Sequence, residues 1–143
     1  MRNLRTQQVG ENWILIDADT GALVTGAVRD GDGLRFNERS AVRRERDLLA
    51  FIEGYEAAYG PDGEVDPGLT HEVRSGLDHL YAVDQAAVNR FVRKDLGPEP
   101  ERPENAERHR RFAQGASFAA SEAVVEMNRK RFSEINSPMM HRF

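Results

Sequence analysis

At 143 residues, 39% hydrophobic, 31% charged and with a net charge of -4, the chain has the make-up of one globular domain. Such a domain buries about two-thirds of the surface its unfolded chain exposes. No apolar run nears the roughly 20 residues that cross a bilayer, and the absence of cysteine removes disulfides, thiol nucleophiles and thiolate metal sites.

The first eight residues contain no apolar leader stretch, so the cytoplasm is the expected compartment. Trp13 to Ile16 is a β-favouring run, Asp17 to Gly21 has turn chemistry, and Ala22 to Val28 is a second apolar run; together they predict a hairpin. Asp30 to Gly33 makes another turn, after which Leu34 to Phe36 adds a short third strand, giving a small β meander over residues 1–36.

Asn37 or Ser40 can cap a helix whose apolar residues Val42, Leu48, Leu49, Phe51, Ile52, Tyr55 and Tyr59 recur at helical spacing up to Gly60. Two prolines, two glycines and three acids make Pro61 to Gly68 an exposed loop. Thr70 caps a helix to about Ala82 and Asp84 a further one to about Gly97, completing a helical core over residues 37–97. The prolines between 98 and 103 predict a stiff connector.

A proline-free stretch then predicts a long contact helix over 104–135, followed by an arm over 136–143. A continuous helix of that length measures about 48 Å, against roughly 35–40 Å for a compact domain of this size, so it either breaks near Gly115 or projects. The expected fold is therefore α+β and mostly helical, a hairpin or three-stranded meander followed by four to five helices, the last one long.

Small residues Gly115, Ala119 and Ala123 recur every four positions, a spacing that lets another backbone approach closely. Phe112, Ala116, Ala119, Ala123 and Met127 line one side of this helix, and Phe118, Val125 and Phe132 form a second row seven apart. A helix apolar on two sides needs two neighbours. The arm adds Met139, Met140 and Phe143, large apolar residues that suit docking.

Ile14 to Thr20, reading Ile-Leu-Ile-Asp-Ala-Asp-Thr, resembles the first motif of haloacid-dehalogenase-type phosphatases. The resemblance implies Asp17 as nucleophile, Asp19 as acid/base and a magnesium ion beside them. The chain departs from that motif at Gly21, and a hairpin turn accounts for the same letters. Neither Asp17 with Asp19 nor Asp30 with Asp32 fits a calcium loop; the first lacks an acid at its fifth position and has Val28 at its twelfth, and solvated turns account for both. His71, Glu72, Asp78 and His79 share a predicted helix, but His71 and Asp78 are about 10 Å apart along it, too far for one metal ion. Ser75, Ser117 and Ser121 lack the glycine-flanked elbow of a nucleophile. No enzyme, cofactor or metal is expected.

Charge is unevenly spread: residues 1–44 carry +1, 45–101 carry -8 and 102–143 carry +3. That pattern suits internal neutralisation or two patches for different partners. Arg108, Arg110 and Arg111 precede Phe112, and Arg129, Lys130 and Arg131 precede Phe132, a basic-plus-aromatic arrangement able to hold phosphates. Glu104, Glu107, Glu122, Glu126 and Glu134 stand at helical spacing to pair with these cations.

The expected function is that of a non-enzymatic accessory or regulatory protein, acting by protein-protein interaction or homo-oligomerisation through Phe112, Gly115, Phe118, Ala119, Ala123, Val125, Phe132, Met139, Met140 and Phe143. Its size suits a phage- or plasmid-encoded inhibitor, regulator or assembly component. The alternative is a nucleic-acid-associated regulator using the arginine clusters.

Overall fold

The computed structural model describes residues 1–69, 90, 93 and 103–140; of residues 68, 103–105, 128, 131, 132 and 134–140 it describes the backbone alone. Strands β1 (Leu4–Val9), β2 (Asn12–Asp17) and β3 (Leu23–Thr25) form one antiparallel sheet in that order. Strands β4 (Val28–Asp30) and β5 (Gly33–Arg35) form a separate two-stranded ribbon. Helix α1 spans Glu45–Ala57, a short 3-10 turn spans Pro67–Leu69, and helix α2 spans Pro103–Met140.

The mostly helical expectation is corrected here. Among the described residues there are two α-helices and five strands in two small sheets, not four to five helices behind a meander. The helices expected from Thr70 and Asp84, with His71, Glu72, Ser75, Asp78 and His79, lie outside the described residues save Arg90 and Arg93, which are helical.

The strand β1 was not expected from its letters, because Leu-Arg-Thr-Gln-Gln-Val carries apolar groups only at its ends. Backbone pairing builds it instead. Leu4 stands opposite Asp17 and Val9 opposite Asn12, around a two-residue turn at Gly10 and Glu11. Gly10 has a φ of 62°, the left-handed region that tight hairpin turns favour glycine for.

The turn chemistry of residues 37–41 competes with helix capping. Asn37 Oδ1 accepts from the Arg39 amide at 3.0 Å, and the Asn37 carbonyl accepts from Ser40 and Ala41 at 3.0 and 2.7 Å. Val42 then runs beside β2, its carbonyl accepting from the Trp13 amide at 2.7 Å. Helix α1 therefore starts at Glu45 and ends at Ala57, short of the expected Gly60, with Tyr59 bridged to Val65. Leu49, expected inward, is exposed.

The core is a single cluster between the sheet and the crossed helices. Leu15 from β2, Leu48, Phe51 and Tyr55 from α1, Leu69 from the 3-10 turn, and Phe112, Ala116, Ala119 and Ala120 from α2 fill it. Helix α2 runs through Gly115 without a break; its 38 residues measure about 57 Å, against about 20 Å for the 13 residues of α1.

Candidate functional site on the long helix

Three surfaces of α2 bear on function, and glycine decides the first. A Cβ built on Gly115 would land on the carbonyl oxygen of Phe51, 2.8 Å from its carbon and 2.9 Å from the Tyr55 nitrogen. A Cβ on Gly54 would land on the carbonyl oxygen of Phe112 in the same way, 2.8 Å from its carbon. The two helices thus meet backbone to backbone at a reciprocal glycine crossing, an approach that other side chains would prevent. Ala116, Ala119 and Ala120 continue the contact, all fully buried. Gly115, Ala119 and Phe112, expected at an interface with another chain, are internal core: α1 of the same chain occupies that face. The sequence pattern marked a close helix contact without showing that the partner helix was Glu45–Ala57.

The second surface lies beside the end of α1. Phe118 is half-buried, its ring 5.8 Å from that of Phe51 and 5.7 Å from that of Tyr55. Ala123 and Val125 are half-buried and Met127 is exposed, while Val124 is fully buried. Ala123 and Met127, with Tyr59, Val65 and Pro67 and the carboxylates Glu64, Glu122 and Glu126, line an open cleft of about 540 Å³. Phe132, Met139 and Met140 belong to α2 by their backbone, their side chains outside the described ones, and Phe143 lies outside the described residues.

The third surface is basic. Glu107 accepts from Arg110 at 2.7–3.0 Å and from Arg111 Nε at 2.9 Å. Glu107 is held below its ordinary range first by the Arg110 hydrogen bond and then by Arg111, against the opposing effect of burial. Arg108 pairs with Glu53 at 3.7 Å and Arg129 with Glu126 at 3.6 Å. Lys130 is exposed, and the Arg131 side chain is outside the described ones. Carboxylates of α2 and α1 thus pair with Arg108 and Arg129, and Arg110 and Arg111 share one, which reduces the uncompensated charge that phosphate backbones require.

Arg2 is a contact that sequence spacing could not reveal. Its Nε donates to Glu122 Oε2 at 2.6 Å, its Nη1 to Asp17 Oδ2 at 3.5 Å, and its backbone amide to the Tyr55 hydroxyl at 2.7 Å. Its guanidinium carbon lies 5.9 Å from the centre of the Phe118 ring. One residue thereby ties β2, α1 and α2 together. Burial, then the Tyr59 hydrogen bond, push the Tyr55 phenol well above its ordinary range, so it stays neutral as an acceptor for Arg2.

Asp17 and Asp19 form a turn. Asp17 Oδ1 accepts from the Asp19 amide at 3.0 Å, and the Asp17 carbonyl accepts from Gly21 at 2.7 Å. Among the described residues, no group of three or more His, Asp or Glu is disposed to hold a metal ion, and no helix is long and apolar enough to cross a membrane. The chain matches no protein-family model, no curated protein and no solved structure.

Proposed function

We propose that this is a non-enzymatic accessory protein that binds another protein or a second copy of itself through the part of α2 beyond the glycine crossing. The observation that carries this is Met127, exposed at 45% beside Val65, Pro67 and Ala123 in the open cleft. An exposed methionine among apolar neighbours offers adaptable area for association. Val125 and the seven-residue row that continues to Phe132 lie on another side of α2 and, with the arm after Met140, add a second apolar strip to the proposed contact. Gly115, Ala119 and Phe112 are no part of it, because α1 covers them.

A cytoplasmic setting and a regulatory or assembly role, including a phage- or plasmid-borne one, belong to the same proposal. The one-to-one carboxylate partners of Arg108 and Arg129, at the two ends of the basic stretch, leave no continuous cationic stripe among the described residues and favour protein binding over the nucleic-acid alternative. The test is sedimentation mass across a concentration series for the parent and for Met127→Asp, with a pull-down from the native host in parallel. The parent should assemble or capture a partner, and Met127→Asp should lose this while keeping its unfolding midpoint. A parent that stays monomeric and captures nothing overturns the proposal.

A further inference from the structure

A second site, independent of the Met127 surface, lies where β3, the 37–41 turn and the first half of α2 meet. Here an open pocket of about 660 Å³ combines Arg39, Arg110 and Arg111 with the hydroxyls of Ser40, Ser117 and Ser121 over an apolar floor. We infer that this pocket binds a small phosphate monoester carrying an apolar or aromatic body.

Charge supplies the first reason. Arg110 and Arg111 share one carboxylate, Glu107, and Arg39 adds a third cation at the rim. Among the described residues, three guanidiniums face one contacting carboxylate, an excess of two positive charges, with Asp47 acting on Arg110 only as a weaker, longer-range attraction. A phosphate monoester brings about -1.5 to -2 at neutral pH, which matches this excess, whereas a carboxylate brings only one charge.

Burial and donor geometry supply the second. The Arg111 side chain is only 10% exposed, although burying a guanidinium is costly without acceptors for its five N–H groups. Glu107 takes its Nε at 2.9 Å and Gln114 Oε1 its Nη1 at 3.4 Å, the latter a long contact. A phosphate presents three terminal oxygens, so it can accept from guanidinium and serine hydroxyl together.

The floor supplies the third. Phe51, Phe118 and Val24 line the pocket, the two rings 5.8 Å apart and tilted by 48°. The volume falls within the roughly 300–1,000 Å³ of sites for small organic molecules, well beyond what inorganic phosphate fills.

The test is calorimetric titration of the full chain, in phosphate-free buffer, with phenyl phosphate, inorganic phosphate and benzoate. Phenyl phosphate should bind one-to-one, with phosphate and benzoate each about tenfold weaker or worse, a difference of about 1.4 kcal/mol. Arg39→Gln, at an exposed turn position, should weaken phenyl phosphate about tenfold and leave the unfolding midpoint in place. Because Arg111→Gln can cost stability, Ser117→Ala serves as the second variant and should weaken phenyl phosphate but not benzoate. No saturable binding of phenyl phosphate at millimolar concentration overturns the inference. So does equal binding of all three anions, or binding unaffected by both Arg39→Gln and Ser117→Ala.

Discussion

Gly115→Ala sets two physical effects of opposite sign against each other at one atom. Helix propensity alone predicts a gain of about 1 kcal/mol, because alanine restricts the unfolded chain and suits a helix interior. The crossing predicts a loss. The added Cβ would sit on the Phe51 carbonyl oxygen, 2.8 Å from its carbon and 2.9 Å from the Tyr55 nitrogen, where carbon contacts ordinarily lie at about 3.5–4.0 Å. The axes of α1 and α2 must part by about 1 Å, and a gap of 0.5–1 Å forfeits roughly a quarter to a half of the dispersion attraction across it. Phe51, Tyr55, Phe112 and Phe118 line this contact, each worth about 2 kcal/mol of burial, so the parting costs about 2–4 kcal/mol. Net destabilisation of about 1–3 kcal/mol follows, a fall in Tm of roughly 3–10 °C. Urea unfolding followed by Trp13, the single tryptophan, reads it directly. A variant as stable as the parent, or more so, would refute the close crossing. Gly54→Ala meets the same barrier from the other side, and the double variant should cost less than the sum, since one separation of the helices accommodates both methyl groups.

Ala119→Arg should unfold the chain, not merely block association, because residue 119 is fully buried in the core; a folded, cooperative variant by circular dichroism would return this position to the surface. Arg2→Gln should cost about 1 kcal/mol by removing the charged link to Glu122 while leaving that carboxylate in place, and an unchanged denaturation midpoint would show the clamp to be idle. Acid sensitivity follows from Glu107, whose folded pKa lies below its ordinary 4.5. Its stabilising contribution is complete above that value and is lost as pH falls through the lower folded one. Glu107→Gln should therefore flatten part of the decline in unfolding midpoint below about pH 4.5, and identical acid profiles for parent and variant would contradict the Arg110 and Arg111 pairing.

Legibility in the sequence follows how local each cause is. The strand β2 is legible in Trp13 to Ile16, β-branched or aromatic residues around one leucine, and the 17–21 turn in its Asp and Gly letters, since both depend on neighbours in sequence. The β1 strand is not, because a polar edge strand is chosen by its partner's hydrogen bonds and not by its own side chains. The start of α1 failed for a related reason. Asn37 and Ser40 are cap residues by type, but the same groups satisfy a turn, and Val42 is drawn beside Trp13 before the helix begins. The helix count rests on cap residues and apolar spacing, and spacing reports a face without saying which neighbour covers it.

The same distinction governs the site. Gly115 and Ala119 signal close packing in any chain, and their spacing is equally compatible with a partner inside the molecule or outside it. What assigns them inward is Gly54, one glycine on α1 whose missing Cβ admits the Phe112 carbonyl. Pairing Gly54 with Gly115 across 61 residues consumes the small-residue face, and Arg2, joining Asp17, Tyr55 and Glu122, ties the sheet to both helices. The proposed binding must then use what these contacts leave over. Those are the open cleft at Met127, which continues the buried Ala116 and Ala119 face beyond the crossing, and the arginine pocket at Arg111. Because the two surfaces share one helix but no lining residue, Met127→Asp should lose association and spare phenyl phosphate, and Arg39→Gln should weaken phenyl phosphate about tenfold and spare association. Loss of both from either single change would mean that the helix itself had moved.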